Sequence, residues 1–367
     1  MGAACLDLLA TVSRYPDPDE KVRSVGFKQE GGGNAGNCLT AVARLLEPTD
    51  GMGVSLISKV GLDSAGEAVV RDLEEEGVDC SLVYRGGETT AFSYIIVDEK
   101  DKTRTCIHTP LAEPMLEGEV ADVRDKAERI MGSASVVVFD GRHTEASIVL
   151  AQVAAENRVP ILLDAEKPRE NLEELLALAD VAVCPESFAK EMLGRKESQG
   201  IAGDFLCLAR EFLPRAKLVL ITRGSEGSVA LASPTPGGLV RDIEESISIE
   251  ASGLGSSGGA PLSPFLRSSD DAGVLLPDAR DVGNSCVASG SCHIPSVVDT
   301  TGAGDAFIGA MAFALARPKT FAESPLSRVI LLASVVAGLK CQQVGARSGL
   351  PSSDLLDLDK MLDLDNV

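Results

Sequence analysis

"VVDTTGAGDAFIGAMAFALA", residues 297–316, runs from a hydrophobic strand through a turn of small residues into an apolar helix. Gly302 and Gly304 let the backbone turn sharply and come close to a ligand. The helix leaves its first amide hydrogens unpaired, and with the helix dipole these form a site for an anion. The same field is expected to lower the pKa of Asp305, so that it stays ionised and accepts a proton from a nearby alcohol. A base beside an anion site suits phosphoryl transfer to a hydroxyl. Taken alone, the motif reads first as a plain helix start with Asp305 as its cap.

Upstream of this turn the chain alternates strand and helix. "ASVVVFD" (134–140) precedes a predicted helix at 144–156, "VPILLDA" (159–165) one at 169–178, and "DVAVC" (180–184) one at 186–194. "AKLVLIT" (216–222) then leads through a Gly-containing turn into "GSVALA" (227–232). Short, continuously apolar strands between amphipathic helices predict a parallel sheet covered on both faces. The last helices are predicted at 304–316 and roughly 322–343. "FSYIIVD" and "TRTCIHT", flanking the polar "EKDK", read as a β-hairpin at 92–109. Residues 251–292 are rich in Gly and Ser and read as a disordered surface insertion, and 352–367 as a solvated acidic tail. "LLEPTDGMGVSLI" reads as a long surface loop between helix and strand.

A second glycine-rich stretch, "QEGGGNAGNCLTAVARL" (29–45), sets Gly31, Gly32 and Gly33, then Asn34 and Asn37, at the start of an amphipathic helix. Two amides three residues apart can address one polyhydroxylated ligand, donating and accepting at once. A plain Gly loop with an Asn cap is the alternative. Walker A, the H-R-D loop of protein kinases and a G-x-G-x-x-G after the first strand are all missing, which excludes those nucleotide-binding designs.

The 367 residues carry 55 acidic against 34 basic side chains, a net charge of −21 that opposes nucleic-acid binding through a broad basic face. No apolar run approaches the roughly 20 residues of a membrane span. The amino terminus reads as neither a secretory signal nor a transit peptide, so a cytoplasmic location is expected. Nine cysteines without a C-x-x-C pair indicate reduced thiols rather than a disulfide framework or structural zinc. Three scattered histidines make a His-based metal site or triad a poor reading, although His143 in "DGRHTE" could line a pocket.

"GGNAGN" (32–37) and "DTTGAGD" (299–305), in this order and spacing, resemble the two signatures of the PfkB, or ribokinase-like, carbohydrate and nucleoside kinases. "SKVGLDSAGEAVVRDLEEEGVD" (58–79) resembles the family's G-x-D-x-x-G helix, and "ITRGSEGSVAL" (221–231) its T-x-G-x-x-G nucleotide turn. "LDAEKPRENLEELLALAD" and "VAGLKCQQVGARSG" look most like a ketohexokinase-like branch. The resemblance implies one three-layer α/β/α domain, with a doubly wound, mostly parallel sheet and a small β-sheet lid from about 8–30 and 88–110. It makes Asp305 the base and the amides of Gly302, Ala303 and Gly304 the anion hole. Asp7, Gly33, Asn34 and Asn37 would bind the sugar, and Thr222, Gly224 and Gly227 would lie along ATP. Mg²⁺ is implied, a monovalent cation is a further candidate, and a homodimer through the lid is a family habit. Where the family has N-x-x-E this chain has Cys184 and Ser187 in "CPES", leaving Glu186 and Glu166 as metal candidates. The short apolar run of "MGAACLD" leads us to expect a first strand short of residues, as in a truncated amino terminus. The implied activity is ATP-dependent phosphorylation of a small sugar, with a nucleoside kinase or a catalytically silent sugar binder as alternatives.

Overall fold

Strands apolar at every position need cover on both faces, and the chain provides it. The computed structural model describes residues 1–101, 103–232, 279–281, 286–317, 326–358 and 361. β7 (Val137–Phe139), β8 (Ile161–Asp164), β9 (Val181–Pro185) and β10 (Leu218–Thr222) lie side by side in parallel. β11 (Ser228–Ala232), β13 (Cys286–Ser289) and β12 (Ala279–Asp281) extend that sheet with antiparallel pairing, in the order β12-β13-β11-β10-β9-β8-β7. Alternation along β10 shows the layering: Leu218 and Leu220 pack with α1 (Asn34–Leu45), α2 (Ser64–Glu75), α8 (Ala303–Leu315) and α9 (Leu326–Lys340). Val219 and Ile221 pack on the other side with α3 (Glu117–Met131), α4 (Thr144–Glu156), α5 (Leu172–Leu178) and α7 (Ile201–Phe212). The result is a three-layer α/β/α fold. The short α6 (Phe188–Met192) follows β9.

β3 (Val54–Val60) and β4 (Val78–Arg85) form a separate parallel pair. The Met1 ammonium donates to Val138 O at 2.5 Å and Gly2 N–H to Ile57 O at 3.2 Å, so the first residues run between β7 and β3. The chain then enters β1 (Cys5–Val12), which pairs with β2 (Gly26–Gly32) and β5 (Phe92–Asp98). β6 (Thr103–Thr109) completes a small sheet ordered β2-β1-β5-β6. Its inner face carries Leu9, Ile95 and Val97, all buried, and its outer face exposes Phe27, Tyr94 and Ile107.

Four expectations change. The first strand is not short of residues, since β1 runs eight residues from Cys5 to Val12. Residues 297–299 are not a strand; the N–H groups of Val298 and Asp299 instead donate to Cys341 O, tying this segment to the end of α9. The expected insertion at 251–292 stops short, because 279–281 and 286–289 pair as strands; 251–278 and 282–285 lie outside the described residues. Nor are the described residues of the expected tail, 352–358 and 361, a solvated end: Leu356, Leu358 and Met361 are buried in the α1/α8/α9 layer, and the remainder lies outside the described residues. Apolar residues set among the aspartates give that segment one face to bury.

Candidate active site

The parallel strands deliver polar residues to one edge of the sheet, where chains of this topology bind ligands. Asp140 follows β7, Asp164 ends β8, Glu186 follows β9 and Thr222 ends β10. The "TGAG" turn gives way to α8 with Gly302 in the left-handed conformation (φ 76°), and a Cβ there would fall 2.8 Å from Ala346 Cβ. Only glycine suits that position. In front of Gly304 a Cβ would meet nothing within 4 Å, so the head of the helix is open to a ligand. Ala303 N–H turns back to Thr300 O at 3.2 Å and is thereby engaged within the turn.

Asp305 stands in the first turn of α8, partly buried, and its Oδ2 accepts from Asn37 Nδ2 at 2.7 Å. The expected lowering of its pKa is overturned. Burial lifts the carboxyl from 3.8 to about 7, and Glu166, Asp140 and Asp7 push it the same way, while the Asn37 hydrogen bond pulls it down. Desolvation and like charge outweigh the helix dipole here. A carboxyl titrating near 7 is well matched to proton abstraction at neutral pH.

The glycine run ahead of α1 is spent on close packing. Gly33 takes φ 88° at the N-cap, with Ala3 O only 2.5 Å from where a Cβ would lie. At Gly32 a Cβ would strike the Asp7 carboxyl at 2.2 Å, so the missing side chain leaves room for that acid. Asp7 is buried and lifted to about 6 by desolvation, against a lowering hydrogen bond from Ser93. Asn34 and Asn37 are brought near the sheet edge and face carboxylates: Asn34 Nδ2 donates to Asp164 Oδ2 at 3.0 Å, and Asn37 Nδ2 to Asp305. Their oxygens accept from Arg142 (3.3 Å) and Arg347 (3.0 Å). Burial, with Asp305 adding like charge, holds Asp164 well above the ordinary carboxylate range.

The nucleotide-side residues cluster apart, at the end of β10. Thr222 Oγ1 points to Cys184 O at 3.5 Å, Gly224 opens a 3-10 turn, and Gly227 approaches Ser289 so closely that a Cβ would come within 2.0 Å of its carbonyl. Glu186 joins them, its carboxylate paired with Arg223 at 2.9 Å. Glu166 lies on the Asp305 side and is paired with Arg169 at 3.2 Å. Each metal candidate is thus engaged by an arginine, and among the described residues no cluster of three metal-ligating side chains occurs.

Asp299, which opens the motif, is fully occupied. Its Oδ1 accepts from Thr301 N (2.9 Å) and Oγ1 (2.7 Å), and its Oδ2 from Gly345 N (2.8 Å). The buried Lys340 ammonium donates to Asp299 O at 2.8 Å and to Gln343 O at 3.4 Å. These residues do not fit a monovalent cation, since a lysine already supplies the positive charge. Arg104 of β6 reaches across to Thr300 Oγ1. Sequence reasoning missed Asp140, Asp164, Arg142, Arg104 and Arg347. The carboxylates were detectable as the first polar residues after apolar runs, "VVVFD" and "ILLD"; the arginines carried no local signal.

The sequence matches the pfkB family carbohydrate kinases over residues 1–241 and 271–353. A ribokinase of Lactococcus lactis is 25% identical, the alignment covering 96% of this chain and 92% of the relative. The mouse ketohexokinase is 22% identical, with 93% and 94% covered. Among solved structures, Arabidopsis thaliana ribokinase complexed with ribose and ATP superposes with a TM-score of 0.65 at 19% identity, covering 99% of this chain and 97% of that one.

Proposed function

The chain belongs to the pfkB family of carbohydrate kinases, and from that premise we propose that it transfers the γ-phosphoryl group of ATP to a hydroxyl of a small sugar of the ketohexose or pentose type. It is a sugar or nucleoside kinase, and so a phosphotransferase. The observation that carries the finer reading is the Asp305 carboxyl, held by Asn37 at the open head of α8 and lifted to about 7. Asp305 takes the proton of the attacking hydroxyl. The amides of Gly302 and Gly304 hold the negative charge that gathers on the migrating phosphoryl group, with Ala303 shaping the turn. Asp7, Gly33 and Asn34 line the sugar side, where buried polar groups reject molecules lacking matching hydroxyls. Asn37 contributes by orienting Asp305.

ATP supplies the transferable phosphoryl group. Thr222, Gly224 and Gly227 would lie along it, and the open space at Gly304 fits a phosphate that a side chain would displace. Mg²⁺ would travel on the phosphates; Glu166, near Asp305, is better placed to meet it than Glu186, though each would have to leave an arginine. For the nucleoside alternative the aromatic pair Phe92 and Tyr94 was the candidate shelf, yet both lie on the sheet face opposite Ser93, which pairs with Asp7. That arrangement favours a sugar. We place the protein in the cytoplasm, where its buried thiols Cys5, Cys38, Cys80 and Cys184 stay reduced; no helix among the described residues is long and apolar enough to cross a membrane. We further propose that two copies pair through the outer face of the small sheet.

A coupled ATP-consumption screen over ketohexoses, aldopentoses and nucleosides tests the reading, with Asp305→Asn alongside. We expect turnover on a ketohexose or pentose, and a fall in kcat of about 10²–10⁴-fold in the variant. Parental turnover by Asp305→Asn on the same sugar would overturn the assignment of the base.

A further inference from the structure

A cationic side chain is buried beneath the glycine run, and nothing above assigns it a role. Arg347 is 3% exposed. Its Nη2 donates to Gly32 O at 3.1 Å, its Nη1 to Asp72 Oδ2 at 3.0 Å, and its Nε to Asn37 Oδ1 at 3.0 Å. Asp72 Oδ2 also accepts Gly31 N–H at 3.0 Å, so one carboxylate ties the guanidinium to the loop. Two glycines leave space for it. A Cβ on Gly31 would fall 2.3 Å from Nη1, and one on Gly36 would fall 2.5 Å from Nη2. Of the four glycines in "GGGNAG", then, two make the bed of this arginine.

We propose that Arg347 is a positioning residue that fixes which end of the Asn37 amide meets Asp305. A guanidinium only donates, so it must face the amide oxygen. The amide nitrogen is then turned to Asp305 Oδ2, 2.7 Å away. With the amide reversed, Asn37 would set its oxygen against a carboxylate and its N–H₂ against the guanidinium, two repulsive contacts at once. Arg347 thereby keeps a donor on the base without touching the substrate. The inference rests on the reading of Asp305 as the base.

The consequence can be read as a pH profile. Asn37 is the group that pulls the Asp305 carboxyl down; the groups that face it with charge or a titratable proton are Asp7 from β1, Cys38 from α1, Asp140 after β7, Asp164 at the end of β8, and Glu166. In Arg347→Met the amide is free to reverse. The acid limb of kcat/KM, followed as ATP consumption on D-fructose and D-ribose, should then move up by about one pH unit. That is about a fivefold loss at pH 7 and almost none at pH 9. Gly36→Ala, which crowds Nη2 without removing the arginine, should give the same pattern. A loss equal at all pH values, or no loss, would overturn the role.

A second readout does not depend on turnover. The side-chain amide protons of Asn37, identified in NMR spectra by their disappearance in Asn37→Asp, should be slow to exchange in the parent and lose that protection in Arg347→Met. Unchanged protection overturns the proposal even if Asp305→Asn shows that another group is the base. If protection is lost while Asp305→Asn keeps parental turnover, Arg347 orients Asn37 and only the base assignment fails.

Discussion

A carboxyl held protonated to near neutral pH makes a fold's stability depend on pH, and the proposed base Asp305 shows how. The unfolded chain gives up this proton at about pH 4, whereas the folded chain keeps it until about 7. Between those values the native state binds more protons, so its stability falls as pH rises through the window and stays reduced above it. Asp7, lifted to about 6, acts in the same direction over a narrower span. Asparagine at 305 mimics the protonated acid while still accepting from Asn37. Thermal melts should therefore show Asp305→Asn more stable than the parent at pH 8, by about 2–4 °C, with the gain shrinking toward pH 5. A variant less stable at pH 8 would mean that the charged carboxylate is well accommodated and its high pKa wrong. The residue itself was legible from "GAGD", but its protonation was not, because the carboxylates around it, Asp7, Asp140 and Glu166, lie far apart in the sequence and meet only in the fold.

The longer helices that carry these residues were legible as sustained runs of apolar and helix-forming residues bounded by turn signals. α4 is found at the expected 144–156, and α8 at 303–315 against an expected 304–316. The short helices were less so: α5 begins at Leu172 and α6 covers only Phe188–Met192, since Pro168 and the turn at "PES" leave few residues to propagate a helix. What the pattern could not show is how α1 meets α8. Ala306 to Leu315 are all buried, so α8 has no polar face to set its orientation. A small residue sets its distance instead: a Cβ on Gly309 would come within 2.6 Å of Ala41 Cβ and 2.7 Å of Cys38 O. The Asn37–Asp305 contact spans this same pair of helices. Gly309→Ala should cost about 1–3 kcal/mol in denaturant unfolding. It should also lower kcat more than it raises the sugar KM, because the base moves relative to its orienting amide. A variant that loses stability with kcat intact would show that the helix spacing does not set the site.

At the scale of the whole molecule, the sheet edge and the small sheet have different demands. The edge of β7 to β10 gathers polar groups that a ligand can satisfy, as open parallel sheets do where their strands end, and the alternation of strand and helix foretold that sheet. By residue pattern alone the small sheet was legible only as a hairpin, and the family resemblance alone pointed to 8–30, because "QEGG" in β2 has no strand pattern and takes its place by pairing Gly31 with Leu6 and Gln29 with Leu8. Once formed, four strands have two faces to account for. One face turns Leu9, Ile95 and Val97 inward against Val344. The other leaves Phe27 68%, Tyr94 52% and Ile107 53% exposed; Phe27 opposes Ala10, two residues along β1 from the Leu8 that opposes Tyr94, and Tyr94 opposes Ile107. Three large apolar side chains on one face, in a chain with a net charge of −21 that otherwise repels its copies, are costly to leave in water and suit a two-fold partner carrying the same patch. The parent should sediment as a dimer, and Phe27→Asp with Ile107→Asp should sediment as a monomer of unchanged helix content. Salt separates this from a charge effect: screening the acidic surfaces should tighten the parental dimer, because the apolar contact keeps its strength while the repulsion fades. A parent that sediments as one chain at high salt and high concentration would leave that face a solvent-exposed surface of a monomeric enzyme.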